Sequence, residues 1–137
     1  MNQVFADTSY FVALAGPHDS LHSRAVEWSQ EWSGRIVTTE YVLVETGSML
    51  SRTTDRPAFV ALMQLLHADP LAKIMPASRA LFRAGFELFS RRMDKEWSLV
   101  DCISLGVMKQ RKLRSAVTAD HHFVQAGYRA ILIEPNL

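Results

Sequence analysis

The chain has 137 residues and a single cysteine, Cys102, and 48% of its residues are hydrophobic, which is ordinary for a globular domain. This length suits one domain over residues 1–137, and one cysteine excludes an internal disulfide, which favours a reducing, cytoplasmic compartment. The net charge of +1 excludes a strongly basic coat for nucleic acid but not a local basic surface. No apolar run is long enough for a membrane span, and the first residues do not resemble a signal peptide.

Short apolar segments alternate with helical segments along the chain. The predicted strands cover residues 3–6, 35–38, 73–75, 114–118 and 130–133. The predicted helices cover residues 8–15, 20–31, 39–50, a segment opened by Asp55-Arg56-Pro57, and residues 78–93, 98–109 and 120–126. Strands that are apolar throughout are typical of a parallel sheet covered on both faces. The order of the elements therefore predicts an α/β fold, a three-layer α/β/α sandwich with right-handed crossovers.

Two aspartates directly follow predicted strands. Asp7 follows the first strand, and Asp120 follows the strand over residues 114–118. In a parallel sheet the carboxyl ends of the strands share one edge, where ligands bind. Either residue alone is equally well explained as a helix N-cap. Two such residues at one edge favour a functional site.

Two further acids lie in predicted helices. Glu45 directly follows the apolar run Tyr41-Val42-Leu43-Val44. Burying a lone carboxylate in apolar surroundings costs free energy unless it is paired or bound to a cation. A solvent-facing residue or a buried pair with an arginine is the alternative. Asp101 lies three residues after Ser98, which also fits a capping box.

The four acids Asp7, Glu45, Asp101 and Asp120 together predict a site for a hard cation. Four carboxylates in one crevice cannot all stay ionised without a positive charge nearby. Oxygen donors favour Mg²⁺ or Mn²⁺ over zinc, and such a cation activates water for attack on a phosphodiester.

Other protein classes with acids at the edge of a parallel sheet fit the sequence less well. A haloacid-type phosphatase needs an acid where Ser9 stands. A receiver domain needs paired acids and a late lysine, and a nucleotide-binding module needs a Gly-rich first turn.

At four places the sequence resembles PIN-domain proteins, in particular the VapC-like toxin ribonucleases of bacterial and archaeal toxin–antitoxin pairs. The matching segments are residues 5–9, the helix around Glu45, and residues 94–104 and 117–128. The resemblance implies a five-stranded parallel sheet and a Mg²⁺- or Mn²⁺-dependent endoribonuclease. It implies that the catalytic and metal-binding acids are Asp7, Glu45, Asp101 and Asp120, and that the supporting hydroxyls are those of Thr8, Ser98 and Thr118.

The resemblance also implies partners. An RNA substrate, a cognate antitoxin and a homodimer are expected, with no membrane association. Some members of the family process RNA without an antitoxin, and others are non-catalytic modules that bind RNA or protein. Both alternatives stay open at this point, and metal-dependent cleavage would separate them.

Several neighbouring residues have simpler interpretations. Asp94 is expected to lie in a loop, and His121 and His122 are expected to be surface residues rather than metal ligands. Two basic groups, residues 91–95 and 109–114, are usual for exposed helix ends. Because the metal alone cannot hold a long RNA, one of these groups is expected to bind phosphates beside the acids.

Overall fold

A computed structural model describes residues 1–134 of the chain. Its strands form one all-parallel, five-stranded sheet in which the strand nearest the start of the chain is central. The strands are β1 Gln3–Ala6, β2 Arg35–Thr39, β3 Ala72–Met75, β4 Ser115–Val117 and β5 Arg129–Ala130, and their order is β3-β2-β1-β4-β5. This sheet, with helices between the strands, confirms the predicted α/β fold.

The helices in the described part of the chain connect successive strands or pack on the sheet. They are α1 Thr8–Ala15, α2 His22–Glu31, α3 Glu40–Met49, α4 Arg56–Ala68, α5 Arg79–Arg91, α6 Leu99–Arg111 and α7 His121–Gln125. None of the helices within residues 1–134 has the length and apolar character that a bilayer span requires.

The centre of the sheet is the centre of the core. Phe5 of β1 lies opposite Val37 of β2 on one side and Ala116 of β4 on the other. Val4, Phe5 and Ala6 have no exposed surface. Because helices cover both faces, every residue in this segment is buried, which explains why the strand is apolar without alternation.

Helices α5 and α6 approach each other closely at Gly85. A Cβ atom at that position would lie 2.3 Å from the Ile103 side chain and 3.0 Å from the Ile103 backbone. The side chains of Phe82, Phe86 and Phe89 lie elsewhere on α5 and are 41–54% exposed. Fewer apolar residues of α5 are therefore buried than their helical spacing in the sequence indicates.

The predicted strand over residues 130–133 is wrong beyond its first residue. β5 has two residues, and a 3₁₀ turn follows it. In that turn the backbone N–H of Leu132 donates to the Thr118 carbonyl at 3.1 Å. The guanidinium of Arg24 donates to the Ile131 carbonyl at 3.0 Å. These distant contacts satisfy the backbone, so the chain leaves the sheet early.

The second helix begins later than predicted. The sequence predicts a start at residue 20, but α2 begins at His22 and no side chain caps it. The Asp19 carboxylate accepts the Leu21 N–H at 2.9 Å instead, which closes a turn ahead of the helix. This turn matters for the site because Asp19 lies at the cleft described next.

Candidate active site

All four predicted acids line one cleft with a volume of about 390 Å³. Asp7 directly follows β1, and Asp120 follows its neighbour β4, so two acids lie at the carboxyl edge of adjacent strands. Glu45 comes from the middle of α3, and Asp101 from the first turn of α6. The cleft therefore lies at the edge where parallel sheets bind ligands.

Asp7 is the most deeply buried of the four acids, with 4% of its surface exposed. Burial, together with the charges of Asp101 and Asp120, raises the pKa of Asp7 to about 6. Hydrogen bonds from the Thr118 hydroxyl and the Thr8 backbone N–H act in the opposite direction. This carboxylate is therefore costly to ionise unless a positive charge enters the cleft.

A pair of hydroxyls holds Asp7 in place. The Thr118 hydroxyl donates to Asp7 Oδ2 at 2.8 Å, and the Ser9 hydroxyl lies 3.4 Å from the same oxygen. The two hydroxyl oxygens are 3.0 Å apart, and Ser9 also accepts the Ala119 N–H at 2.9 Å. Thr118 accepts the backbone N–H of Asp120 at 3.0 Å. These bonds tie the start of α1 to the segment that carries Asp120.

Asp101 is part of the predicted capping box and also contacts a histidine. Its Oδ2 atom accepts the Ser98 N–H at 3.0 Å, while the Ser98 hydroxyl accepts the Asp101 N–H at 3.0 Å. His122 Nδ1 lies 2.9 Å from the same Oδ2 atom and 3.2 Å from Asp120 Oδ1. The interpretation of His122 as a surface residue is therefore wrong, whereas His121 is exposed as predicted.

The electrostatic surroundings of His122 follow from these contacts. Partial burial lowers its pKa, but the hydrogen bond with Asp101 and the negative charge of Asp120 outweigh that effect. The net result is a His122 pKa above the usual value. A protonated ring between two carboxylates offsets part of their mutual repulsion.

The other predicted side chains differ in their contacts. The Glu45 side chain is half-buried and makes no hydrogen bond with residues 1–134. The Thr8 hydroxyl is buried and likewise has no partner among those residues. Asp19, which the sequence did not single out, adds a fifth carboxylate to the lining of the cleft. Asp94 is exposed and pairs with Arg92, as expected of a loop residue.

The donor set fits a divalent cation. Asp101, Asp120 and His122 each offer one ligand atom, and these atoms lie within 4.8 Å of one another. No lysine or arginine of the described chain lines the cleft to neutralise its carboxylates. The unpartnered Thr8 hydroxyl is a further oxygen at this position. Asp7 and Glu45 lie outside the group of three, at the same cleft.

The sequence model of the PIN-domain family matches residues 4–127, nearly the whole chain. The chain belongs to the PIN-domain family. The PIN proteins similar to it include the 23S rRNA-specific endonuclease VapC20 from two strains of Mycobacterium tuberculosis. VapC20 is 27% identical over 128 residues, which are 91% of this chain and 95% of that protein.

Two solved structures share the fold of this chain. The crystal structure of M. tuberculosis VapC20, named there as a toxin that cleaves the sarcin–ricin loop, matches with a TM-score of 0.83 and 26% identity. The match covers 91% of this chain and 95% of that one. FitAcB from Neisseria gonorrhoeae matches with a TM-score of 0.66 and 18% identity over 93% and 95% of the two chains, which shows a shared fold. The PIN family and fold predicted from the sequence are confirmed.

Proposed function

We propose that this PIN-domain chain is a Mg²⁺- or Mn²⁺-dependent endoribonuclease that hydrolyses RNA phosphodiester bonds. The observation that carries the proposal is the convergence of Asp7, Glu45, Asp101 and Asp120 on one cleft at the carboxyl edge of the sheet. The endonuclease activity of VapC20 on 23S rRNA supports RNA as the substrate class. The complete set of four acids disfavours a non-catalytic module.

In this mechanism the four acids would hold the cation, directly or through water. When bound, the cation would supply positive charge that stabilises the phosphate and makes the attacking water more acidic. Thr118 and Ser9 orient Asp7, and the Ser98 N–H orients Asp101, so these oxygens need little rearrangement as charge develops. In-line attack by water leaves a 5′-phosphate and a 3′-hydroxyl. A 2′,3′-cyclic phosphate product would contradict this mechanism.

The test is cleavage of a sarcin–ricin loop hairpin and of an unrelated hairpin of equal length, in Mn²⁺ and in EDTA. Asp101→Asn should abolish cutting, and EDTA should do the same. Asp55→Asn is the matched control, because Asp55 does not line the cleft and its side chain makes no capping bond. Equal cutting by Asp101→Asn and wild type, or cutting in EDTA, would refute the proposal.

We also propose that the basic group at residues 91–95 binds RNA phosphates. Lys95 lies 5.9 Å above the Trp97 ring, and the Trp97 indole N–H donates to Gln125 of α7 at 3.1 Å. Ser98, three residues after Lys95, donates its N–H to the Asp101 carboxylate at 3.0 Å, so the segment that carries this group leads directly to the cleft. The other group lies at the far end of α6 from Asp101. Lys95→Ala should raise KM for RNA, whereas Lys112→Ala should not.

The proposed biological role is that of a toxin with a cognate antitoxin and a homodimeric state. The name of VapC20 as a toxin supports the role. The exposed phenylalanines of α5 support self-association, because apolar side chains of that size are commonly covered in an assembly. Wild type, but not Asp101→Asn, should arrest growth of a bacterial host, and a small neighbouring gene product should relieve the arrest. Light scattering should report two chains per particle.

A further inference from the structure

We propose that His122 is a positioning residue that holds the Asp101 and Asp120 carboxylates in the orientation that binds the cation. The inference rests on the proposed function and adds a residue to its machinery. It assigns a role to a side chain that the four-acid description leaves out.

The contacts of His122 join two acids from different elements. Its Nδ1 atom lies 2.9 Å from Asp101 Oδ2, at the start of α6, and 3.2 Å from Asp120 Oδ1, ahead of α7. A single N–H at this position is shared between two oxygens, which draws two like-charged carboxylates together. The side chain is 29% exposed, so most of the ring is packed rather than free to rotate.

The hydrogen bonds divide the oxygens of each carboxylate into two kinds. Asp101 Oδ2 also accepts the Ser98 N–H at 3.0 Å, and Asp120 Oδ1 also accepts the His122 backbone N–H at 2.8 Å. These two oxygens are therefore held by donors of the chain itself. Asp101 Oδ1 and Asp120 Oδ2 accept no side-chain or capping bond from residues 1–134. Each carboxylate thus keeps one oxygen for the cation while the other fixes its direction.

The same contacts argue for positioning rather than direct coordination. Because Nδ1 donates its proton to Asp101, it has no lone pair left for a cation. The lone pair of Nε2 is directed away from the two carboxylates that Nδ1 contacts, so a cation held between their free oxygens would not reach it. Residues that hydrogen-bond metal ligands in this way orient them and raise their affinity for the metal. Loss of the ring leaves the backbone cap of Asp120 intact, so the effect on folding is expected to be small compared with the effect on the cation.

The test is Mn²⁺ affinity, measured by electron paramagnetic resonance of free Mn²⁺ without RNA. His122→Ala should weaken binding by about tenfold to 100-fold, as is typical for a residue that supports metal ligands. His122→Asn should restore most of the affinity, because its amide nitrogen donates from nearly the same position as Nδ1. His121→Ala is the matched control and should bind as wild type does. Circular dichroism checks that each variant is folded.

Each outcome decides the inference. Equal Mn²⁺ affinity for His122→Ala and wild type overturns the positioning role and leaves the proposed function standing. Equally weak binding by the Ala and Asn variants also overturns it, because donation by the side chain would not be what matters. Absence of Mn²⁺ binding by wild type overturns both. In addition, Nδ1 should keep the ¹⁵N shift of a protonated nitrogen in saturating Mg²⁺, and a shift typical of a coordinated nitrogen at either Nδ1 or Nε2 would refute positioning.

Discussion

The Thr118 hydroxyl donates a 2.8 Å hydrogen bond to the Asp7 carboxylate, across a sequence separation of 111 residues. The two residues meet because β1 and β4 are adjacent parallel strands that end at the same edge. Thr118 also accepts the backbone N–H of Asp120 at 3.0 Å. One fully buried hydroxyl therefore sets the position of two acids.

Thr118→Val removes both bonds, and the contact with the Ser9 hydroxyl, at nearly constant volume. We expect cleavage to fall by about tenfold to 100-fold, as for other residues that support metal ligands. The free energy of unfolding should fall by about 1–3 kcal/mol, since the Asp120 N–H loses its partner. Thr46→Val is the control, because that buried hydroxyl bonds only to the Val42 carbonyl within α3. It should lower stability but not cleavage, and unchanged cleavage in Thr118→Val would contradict the prediction.

The buried Asp7 carboxyl predicts a pH dependence of stability in protein free of divalent cations. Its pKa is about 6 in the fold and 3.8 in the unfolded chain, so the folded state binds more protons between these values. Stability contributed by this group is present below about pH 4 and is lost as the pH rises through 6. The difference corresponds to about 3 kcal/mol. Urea unfolding of wild type and Asp7→Asn in EDTA should show the variant more stable at pH 8, with the gap closing at pH 4.

Divalent cations should remove most of that difference. Mg²⁺ binding stabilises the folded state of wild type by about 2.7 kcal/mol at a concentration one hundred times Kd. Asp7→Asn should gain much less, because a ligand is lost. If the free energy of unfolding of wild type changes with neither pH nor Mg²⁺, then ionising Asp7 does not carry the cost described above.

Glu45→Gln tests the acid on α3. The Glu45 side chain lines the cleft and makes no hydrogen bond with the described residues, so its loss should leave the fold unchanged. We expect at least a tenfold loss of cleavage, since transition-state charge stabilisation is reduced. Glu27→Gln, an exposed position on α2, should cleave as wild type does. Full activity of Glu45→Gln, measured with the same RNA, would remove Glu45 from the site.

Two glycines on packed helices should respond in opposite ways to alanine. A methyl group at Gly85 would clash with Ile103, and overpacking of this kind costs about 1–3 kcal/mol. A Cβ at Gly106 of α6 would have no atom within 4 Å. Gly106→Ala should therefore stabilise the protein by about 0.5–1 kcal/mol through helix propensity. Thermal unfolding of both variants checks the close approach of α5 to α6.

The fold and the four acids were accessible from sequence because their signals are local. A strand that is apolar throughout, as in Val4-Phe5-Ala6, indicates a sheet covered on both faces, and an acid at the end of such a strand indicates the edge. The capping box at Ser98 and Asp101 is likewise encoded within four residues. These signals do not depend on what packs against them.

The missed features depend on contacts between distant segments. His122 belongs to the site because α7 places it beside Asp101, and the neighbouring His121 shows that sequence position alone does not distinguish the two. Ser9 carried a weak signal, a second hydroxyl two residues after Asp7. The end of β5 was misplaced because its backbone is satisfied by Arg24, more than one hundred residues earlier in the chain.

The central position of β1 has a consequence for synthesis on the ribosome. The first strand to emerge pairs with β2 early, but its other neighbour, β4, emerges only after residue 117. Until then Asp7 has neither the Thr118 hydroxyl nor the Asp120 carboxylate beside it. Because domains fold as their segments become available, a chain translated only as far as β4 has three of the four acids and no closed cleft. The complete set of acids can therefore assemble into the cleft only when translation of the domain is almost finished.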